Sequence, residues 1–518
     1  MSLYALLGVP TRPDDEKEKS ARTTPYAGRG TVDDPFVVDW DAGDPENPYN
    51  WPMTRKAVIT AQLAFGTWTV SFASSAYTGG IGFMRQDIQG MSETVALLGI
   101  SLYVLGFGAG PLVFASLSET FGRRRIFLGT FCIYVFMHLG GAFGHNSATI
   151  LATRFLAGTF GASPLTNAGG AIADMYAPRE RGIASAIYAT APYLGPVIGP
   201  IVGGYISETN VGSIGGWRFT FWLMFIISTL NLLFGFLYAP VLLQRRAQRL
   251  YKESGKTKYY VSFYDRARNR TLRELLRINL TRPFRFLVTE PIVLLTAVYI
   301  SVTYATLYAQ FSAYPIVFMQ HRGFSTGETG LAFLGIGAGV LIGTAMAPLQ
   351  NRLYWRALER SETGFAAPET RLYMAIVGGI CFPVGLFWFA WTTPPSIHWI
   401  VPVLGGVPTG VAIALILQSL TAYMMDAYTI YFASAMAAAV VMRSVAAAAF
   451  PLFSPPMFAA LGDEWAVSVF AFLALACLPV PMLFYIYGRK LRWRSKFAWK
   501  EPEGTRSEAT TVAEHTHH

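Results

Sequence analysis

The chain has 518 residues, of which 53% are hydrophobic and only 14% charged, with a formal net charge of +10. That balance is too apolar for a soluble protein of this length and fits a polytopic membrane protein, whose Lys and Arg are read by loop position rather than as a nucleic-acid footprint. Cys132, Cys381 and Cys477 all lie in apolar stretches, as small core residues do, and no GxxxxGK[ST] phosphate loop is present, which argues against an ATP-driven pump.

Residues 1–54 are polar and punctuated by proline, and they read as a mostly disordered tail. Charges at Asp14, Asp15, Glu16 and Lys17, with no long apolar run beside them, argue against a cleaved signal peptide. Apolar runs of spanning length, about 20 residues each, then follow. They lie near 57–79, 95–117, 126–144, 148–172, 183–206 and 218–241. A basic stretch separates them from a second set near 290–314, 329–349, 372–392, 399–424, 430–459 and 466–488. The expected organisation is a tail (1–54), a six-helix half (55–241), a basic central loop (242–288), a second six-helix half (289–488) and a second tail (489–518).

Loop charge orients this layout. With both termini cytoplasmic, the inside loops hold Arg123, Arg124, Arg125, Arg179, Arg181, the series from Arg245 to Arg285, and Arg352, Arg356 and Arg360. The opposite loops have little beyond Arg85, Arg218 and Arg322. This is a positive-inside pattern. Asn269 and Asn279, each in an Asn-Xaa-Thr sequence, fall in the inside loop and are not expected to carry glycans. In the same loop Thr271 and Glu274 have capping-box spacing, and a short amphipathic helix is expected on the inner membrane surface.

An internal repeat supports two related halves. Leu105-Gly106-Phe107-Gly108-Ala109-Gly110 recurs as Leu334-Gly335-Ile336-Gly337-Ala338-Gly339, in the second span of each half. The same offset places Arg123 on Arg352. Duplicated halves are a common plan of secondary transporters. The fifth span carries a ladder from Pro192 to Gly204, with prolines at 192, 196 and 200 and glycines at 195, 199 and 203. Each interior proline would cost about 3 kcal/mol in a soluble helix. In a membrane, neighbouring helices can satisfy the freed carbonyls, and the glycine stripe admits a close neighbour.

The second span ends in Leu117-Ser118-Glu119-Thr120-Phe121-Gly122-Arg123-Arg124-Arg125. This resembles the major facilitator superfamily motif Gly-x-Leu-x-Asp-x-x-Gly-Arg-Arg. Glu119 takes the acidic place, and Ala115 stands where the family usually has Gly. The resemblance implies an all-α membrane fold of two six-helix halves related by a pseudo-two-fold axis. It also implies a cytoplasmic gate of Glu119, Gly122, Arg123 and Arg124. Arg154-Phe155-Leu156-Ala157-Gly158 in the fourth span is a second match and makes Arg154 a candidate in proton coupling. Gly195, Pro196, Gly199, Pro200, Gly203 and Gly204 are similar to the fifth-span motif of drug:proton antiporters, although Ala186 replaces one upstream glycine. Further stretches, among them Asn47 to Pro52, Trp217 to Trp222, Asp426-Ala427-Tyr428 and Arg443-Ser444, resemble the fungal twelve-span drug:proton antiporter group over nearly all of residues 45–490.

No carboxylate falls near the middle of any expected span; Glu119, Asp174, Glu290 and Asp426 sit near ends. His138 is a further candidate for a proton carrier, though a lone His in an apolar run is usually a bonded core residue. Polar and aromatic residues within spans supply the cavity candidates. In this superfamily spans 1, 4, 7 and 10 border the cavity, which favours Gln62, Asn167, Tyr304, Tyr308 and Gln418. Aromatic walls with a few amides suit flat or amphiphilic organic molecules.

The reading is a secondary transporter, not an enzyme, exporting a drug, toxin or secondary metabolite in exchange for protons. It needs no cofactor, metal or nucleic acid, and it works as a monomer in the plasma membrane or, second, a vacuolar one. An organic-acid or polyamine exporter is the alternative of the same fold; few acidic groups argue against polyamines, and Arg154 would suit an anion if it faced the cavity. A membrane sensor signalling through its tails is the alternative of another class, disfavoured by the intact gate residues.

Overall fold

Inside a bilayer every backbone donor and acceptor must be met within the protein, and a continuous helix does so locally. The computed structural model describes residues 26–31, 34–40, 44, 47–121, 123–176, 178–209, 215–237, 246, 250–255, 257–262, 272–361 and 366–500. Its long helical segments fall where the apolar runs do. The first half comprises α1 (Met53–Ala76), α2 (Glu93–Phe121), α3 (Arg123–Phe143), α4 (Ser147–Met175), α5 (Pro178–Glu208) and α6 (Gly216–Leu237). The second comprises α7 (Pro291–Gln320), α8 (Thr326–Glu359), α9 (Pro368–Trp391), α10 (Ile400–Tyr428), α11 (Phe432–Leu461) and α12 (Asp463–Arg494).

Among the described residues, nine helical segments are long and apolar enough to cross a membrane. Helix α1 is not one of them, because Thr60, Thr67, Thr69, Ser71, Ser74 and Ser75 dilute it. These hydroxyls are nonetheless buried, and all but Ser71 are hydrogen-bonded among the described residues. Thr60, Thr67 and Thr69 each donate to the carbonyl four residues back, at 2.9, 3.1 and 2.8 Å.

The two halves pack alike. Within the first, α1 lies on α5, α2 on α4, and α3 on both α4 and α6; within the second, α7 lies on α11, α8 on α10, and α9 on both α10 and α12. Between the halves, α2 meets α11 and α5 meets α8. The glycine repeat explains part of this symmetry. A methyl group on Gly106 would lie 2.4 Å from the Thr159 nitrogen on α4, and one on Gly335 would lie 2.1 Å from the Val403 oxygen on α10. The middle glycine of each copy instead faces the opposite half. Gly108 sits against Ser444 on α11, and Gly337 against Val197 on α5. The six-residue repeat therefore places equivalent glycines in equivalent contacts.

The proline ladder does not break α5, which runs helically from Pro178 to Glu208. Its glycines receive α1: a methyl on Gly195 would stand 2.7 Å from the Phe72 nitrogen, and one on Gly203 would stand 2.1 Å from the Ala76 oxygen. Gly204 turns the other way, to the Thr326 oxygen of α8, while Gly330 of α8 rests on the Pro200 oxygen. The Gly327 amide donates to Glu208 at 2.9 Å beside them. The halves are thus closed on each other at the face remote from the basic loops. In α11, Pro455 leaves the Pro451 carbonyl without its helical donor, and Ser312 of α7 donates to it at 3.4 Å.

Two features depart from the expected organisation. The tail contains strand β1 (Phe36–Val38), paired in parallel with β2 (Tyr260–Ser262) of the central loop. Phe36-Val37-Val38 is an apolar, partly β-branched triplet, too short to stand out in a polar tail. Arg246 of the central loop forms an ion pair with Asp44 beside this sheet. At the other end, α12 continues past residue 488 to Arg494, and the Trp499 amide then donates to the Ala427 oxygen at 2.8 Å. The loop helix Leu272–Thr289 begins where the capping box expects it, with Thr271 itself outside the described residues. Leu280, Phe284 and Val288 form an exposed line along it, and Phe286 is buried against Phe497 with ring centroids 5.0 Å apart. That matches a helix lying at a membrane surface.

Close backbone approach makes a direct prediction. Gly203→Val should wedge α1 from α5 and cost about 1–3 kcal/mol, seen as a lower melting temperature of the detergent-purified protein. An unchanged melt would show that the helices tolerate separation along this line.

Candidate translocation site

Helix α4 starts at Asn146, whose side chain accepts from the Thr149 amide at 2.8 Å. Two turns on, Arg154 is fully buried. Its Nη1 donates to the Ala73 oxygen at 2.6 Å, Nη2 to the Ser74 oxygen at 2.9 Å and Nε to the Gly99 oxygen at 3.0 Å. Tyr103 and Tyr77 lie under the guanidinium, 4.1 and 4.6 Å from their ring centroids. Two of the three carbonyls belong to the last turn of α1, where helical donors run out and the helix dipole is negative. Arg154 therefore ties α1, α2 and α4 together. His138 of α3 is buried near it and packs edge-on against Tyr134, with centroids 4.7 Å apart.

The cavity candidates separate. Tyr304 and Tyr308 of α7 pack with ring centroids 5.1 Å apart, tilted by 45°, and the Tyr308 hydroxyl lies 2.9 Å from Ser74 Oγ of α1, bridging the two halves. Ser74 is also the residue whose carbonyl Arg154 holds, so Arg154 and Tyr308 meet at one residue. Gln418 of α10 has a buried Nε2 with no hydrogen-bond partner among the described residues. Gln62 instead donates to Asn231 of α6 at 3.2 Å and is not grouped with the others. The Asn167 side chain lies outside the described residues.

Sequence reasoning missed the cation among these tyrosines. Arg443, inside α11, has its guanidinium carbon 4.8 Å from the Tyr304 ring centroid. The signal was present: like Arg154, it is an Arg within an apolar run, which is a functional indication by default.

Of the expected gate, Gly122 and the side chains of Glu119, Arg123 and Arg124 lie outside the described residues. Helix α2 is described to Phe121 and α3 from Arg123. The second half has its own charge cluster on the same face. Glu369 accepts from Arg492 Nε and Nη2, both at 2.9 Å, and Asp426 accepts from Arg371 Nε at 2.8 Å. Arg371 also lies 3.5 Å from the Tyr354 ring centroid. Arg352, the repeat partner of Arg123, is exposed on α8.

Arg154→Ala would strand three buried carbonyls, each costing about 1–3 kcal/mol when unmet. The expected result is a sharply lower melting temperature and less protein in the membrane, with Arg154→Lys partly restoring both. A stable alanine variant that loses only proton-linked transport would instead assign Arg154 to coupling.

Known proteins resemble this chain over most of its length. The MFS-type efflux pump MFS2 of Trichophyton rubrum is 47% identical over 480 residues, covering 92% of this chain and 79% of that protein. The major facilitator superfamily multidrug transporter mdrA of Aspergillus fumigatus is 46% identical over 485 residues, covering 92% and 78%. The citrinin biosynthesis cluster MFS transporter mrr1 of Monascus ruber is 38% identical over 489 residues, covering 93% and 96%. Among solved structures, the proton:xylose symporter XylE superposes with a TM-score of 0.60 at 16% identity, covering 89% of this chain and all of that one. The human organic anion transporter MFSD10 superposes with a TM-score of 0.56 at 17% identity, covering 83% and 100%. At these identities the two structures speak for the fold alone. The family model for the Major Facilitator Superfamily matches residues 63–451, and with these relatives and this paired-half architecture the chain belongs to that superfamily.

Proposed function

We propose that the protein is a secondary active efflux pump that exports a small organic compound, a drug, toxin or secondary metabolite, in exchange for protons. Its similarity to efflux pumps and multidrug transporters along 92% of the chain carries this reading. The geometry supports it: the two halves meet at α2–α11 and α5–α8, as alternating access about a central site requires. Glu119, Gly122, Arg123 and Arg124 act as the cytoplasmic latch. The pump works as a monomer in the plasma membrane, with both tails and the basic loop cytoplasmic.

Exchange for protons needs a group whose protonation follows access to each side. The Asp174 side chain lies outside the described residues. Glu290, the residue before α7, is buried, and its carboxylate accepts one hydrogen bond, from the Tyr428 hydroxyl at 3.0 Å, with no cation paired to it among the described residues. Two carboxylates nearer the bundle on that face, Glu369 and Asp426, are instead bound to arginines, and Glu274 and Glu359 are exposed. Glu290 is therefore the proposed proton carrier.

Cells expressing the wild type should accumulate less of at least one compound from a panel of dyes, drugs and organic acids, and a protonophore should abolish the difference. Glu290→Gln, at equal membrane abundance, should lower proton-driven efflux by at least about tenfold, the scale of losing a general proton-transfer group. Unchanged accumulation across the panel would remove export; efflux indifferent to the protonophore would remove proton coupling; full efflux in the variant would remove Glu290.

A further inference from the structure

Charges within a membrane bundle are costly and are kept where something completes them. The structure completes most of those described. Arg492 grips Glu369 with two nitrogens, Arg371 binds Asp426, and Arg154 binds three carbonyls. Arg322, at the end of α7, donates to the carbonyls of Ile397, Thr393 and Pro394 at 2.6, 3.1 and 2.8 Å. Arg443 differs from all of these. Its Nε, like that of Arg322, is buried and has no hydrogen-bond partner among the described residues, but Arg322 meets carbonyls with its other nitrogens. Its guanidinium lies over the face of Tyr304 and pairs with no carboxylate or carbonyl among the described residues.

Its surroundings place it at the seam. Tyr304, over which its guanidinium lies, comes from the second half, and α11 itself packs on α7 and meets α2 of the first half. The next residue, Ser444, is the one against which Gly108 of α2 packs. With Tyr304 of the second half against its guanidinium and Gly108 of the first half against the residue next to it, Arg443 lies where the halves meet, inside the bundle and not in the lipid. Arg443 itself is half-buried, so part of it remains open within that interior.

We infer that Arg443 is the anchoring cation of the substrate cavity and that the exported compound is an aromatic organic acid bound in its ionised form. A guanidinium presents a planar fork that matches a carboxylate with two parallel hydrogen bonds. The tyrosine rings supply flat apolar walls for the rest of the molecule. The anion completes the bare charge, and it does so at the seam, where both halves contribute contacts. This inference rests on the exporter reading for its biological direction, but the recognition itself can be measured on its own.

The test uses the full chain purified into lipid nanodiscs, with 1-naphthoate and its methyl ester as probes. The wild type should bind the acid at least about tenfold more tightly than the ester, a factor in keeping with a charge-assisted, two-pronged contact. Arg443→Gln should abolish that preference, mainly by weakening the acid, and Arg443→Lys should keep it at reduced size because a point charge replaces a fork. Melting curves check that each variant folds. If the glutamine variant does not, the lysine variant and the wild-type acid-to-ester ratio decide. Equal wild-type affinity for acid and ester, no binding of naphthoate, or a preference that survives Arg443→Gln would overturn the inference. Efflux assays separate the two readings. Neutral compounds exported without any acid preference leave export standing and remove the anion site. An acid preference in nanodiscs with no efflux in cells leaves the site standing and removes export.

Discussion

Backbone against backbone is the contact on which this structure depends. Hydrocarbon offers helices no hydrophobic reason to associate, so packing must come from close approach and from polar groups that meet across helices. Glycine provides the approach at the lines that matter. Gly106 and Gly335 seat α2 on α4 and α8 on α10, and Gly195 and Gly203 seat α1 on α5. Gly204 and Gly330 close α5 on α8. Hydroxyls provide the polar groups, most of them spent on the carbonyl four residues back or, as with Ser312, on a carbonyl freed by proline.

The same requirement governs the charges. Each buried arginine is a problem that its neighbours must solve, and the solutions differ by place. Near the ends of the spans the partners are carboxylates, as in Arg492 with Glu369 and Arg371 with Asp426. Deeper in, Arg154 uses carbonyls at the end of α1 and the rings of two tyrosines. Carbonyl partners carry no formal charge, so Arg154 stabilises one arrangement of three helices without consuming an acid. Its link through Ser74 to Tyr308 joins that arrangement to the second half.

Much of this was legible in the sequence. The spans were, because runs of about 20 apolar residues have few other uses; most observed ends lie within several residues of the expected ones, but α8 runs on to Glu359, ten residues past the expected 349, as a polar extension. The duplication was legible in one hexapeptide, whose glycines now explain why it was worth repeating. The cavity was less so. Facing direction is set by helix rotation, which apolar composition on all sides leaves undetermined; hence Gln62 pairs with Asn231 while Tyr308 reaches across the halves. Arg443 was seen as part of a local resemblance, but its lack of a partner is a fact about what other helices bring near it. Glu369 likewise gains its importance from Arg492, 123 residues away in the chain. Strand β1 was hidden by its length of three residues.

The central glycines of the two repeat copies have a mechanical meaning. Gly108 and Gly337 each rest on the opposite half, at Ser444 and Val197. Side chains that interlock resist sliding, since a knob must climb out of its hole before a neighbour can move. At these two points the glycine contributes no knob. The seam has a smooth bearing on each side of the pseudo-two-fold axis, and rocking of one half on the other can proceed there with little steric friction while the tighter lines within each half keep it a rigid body.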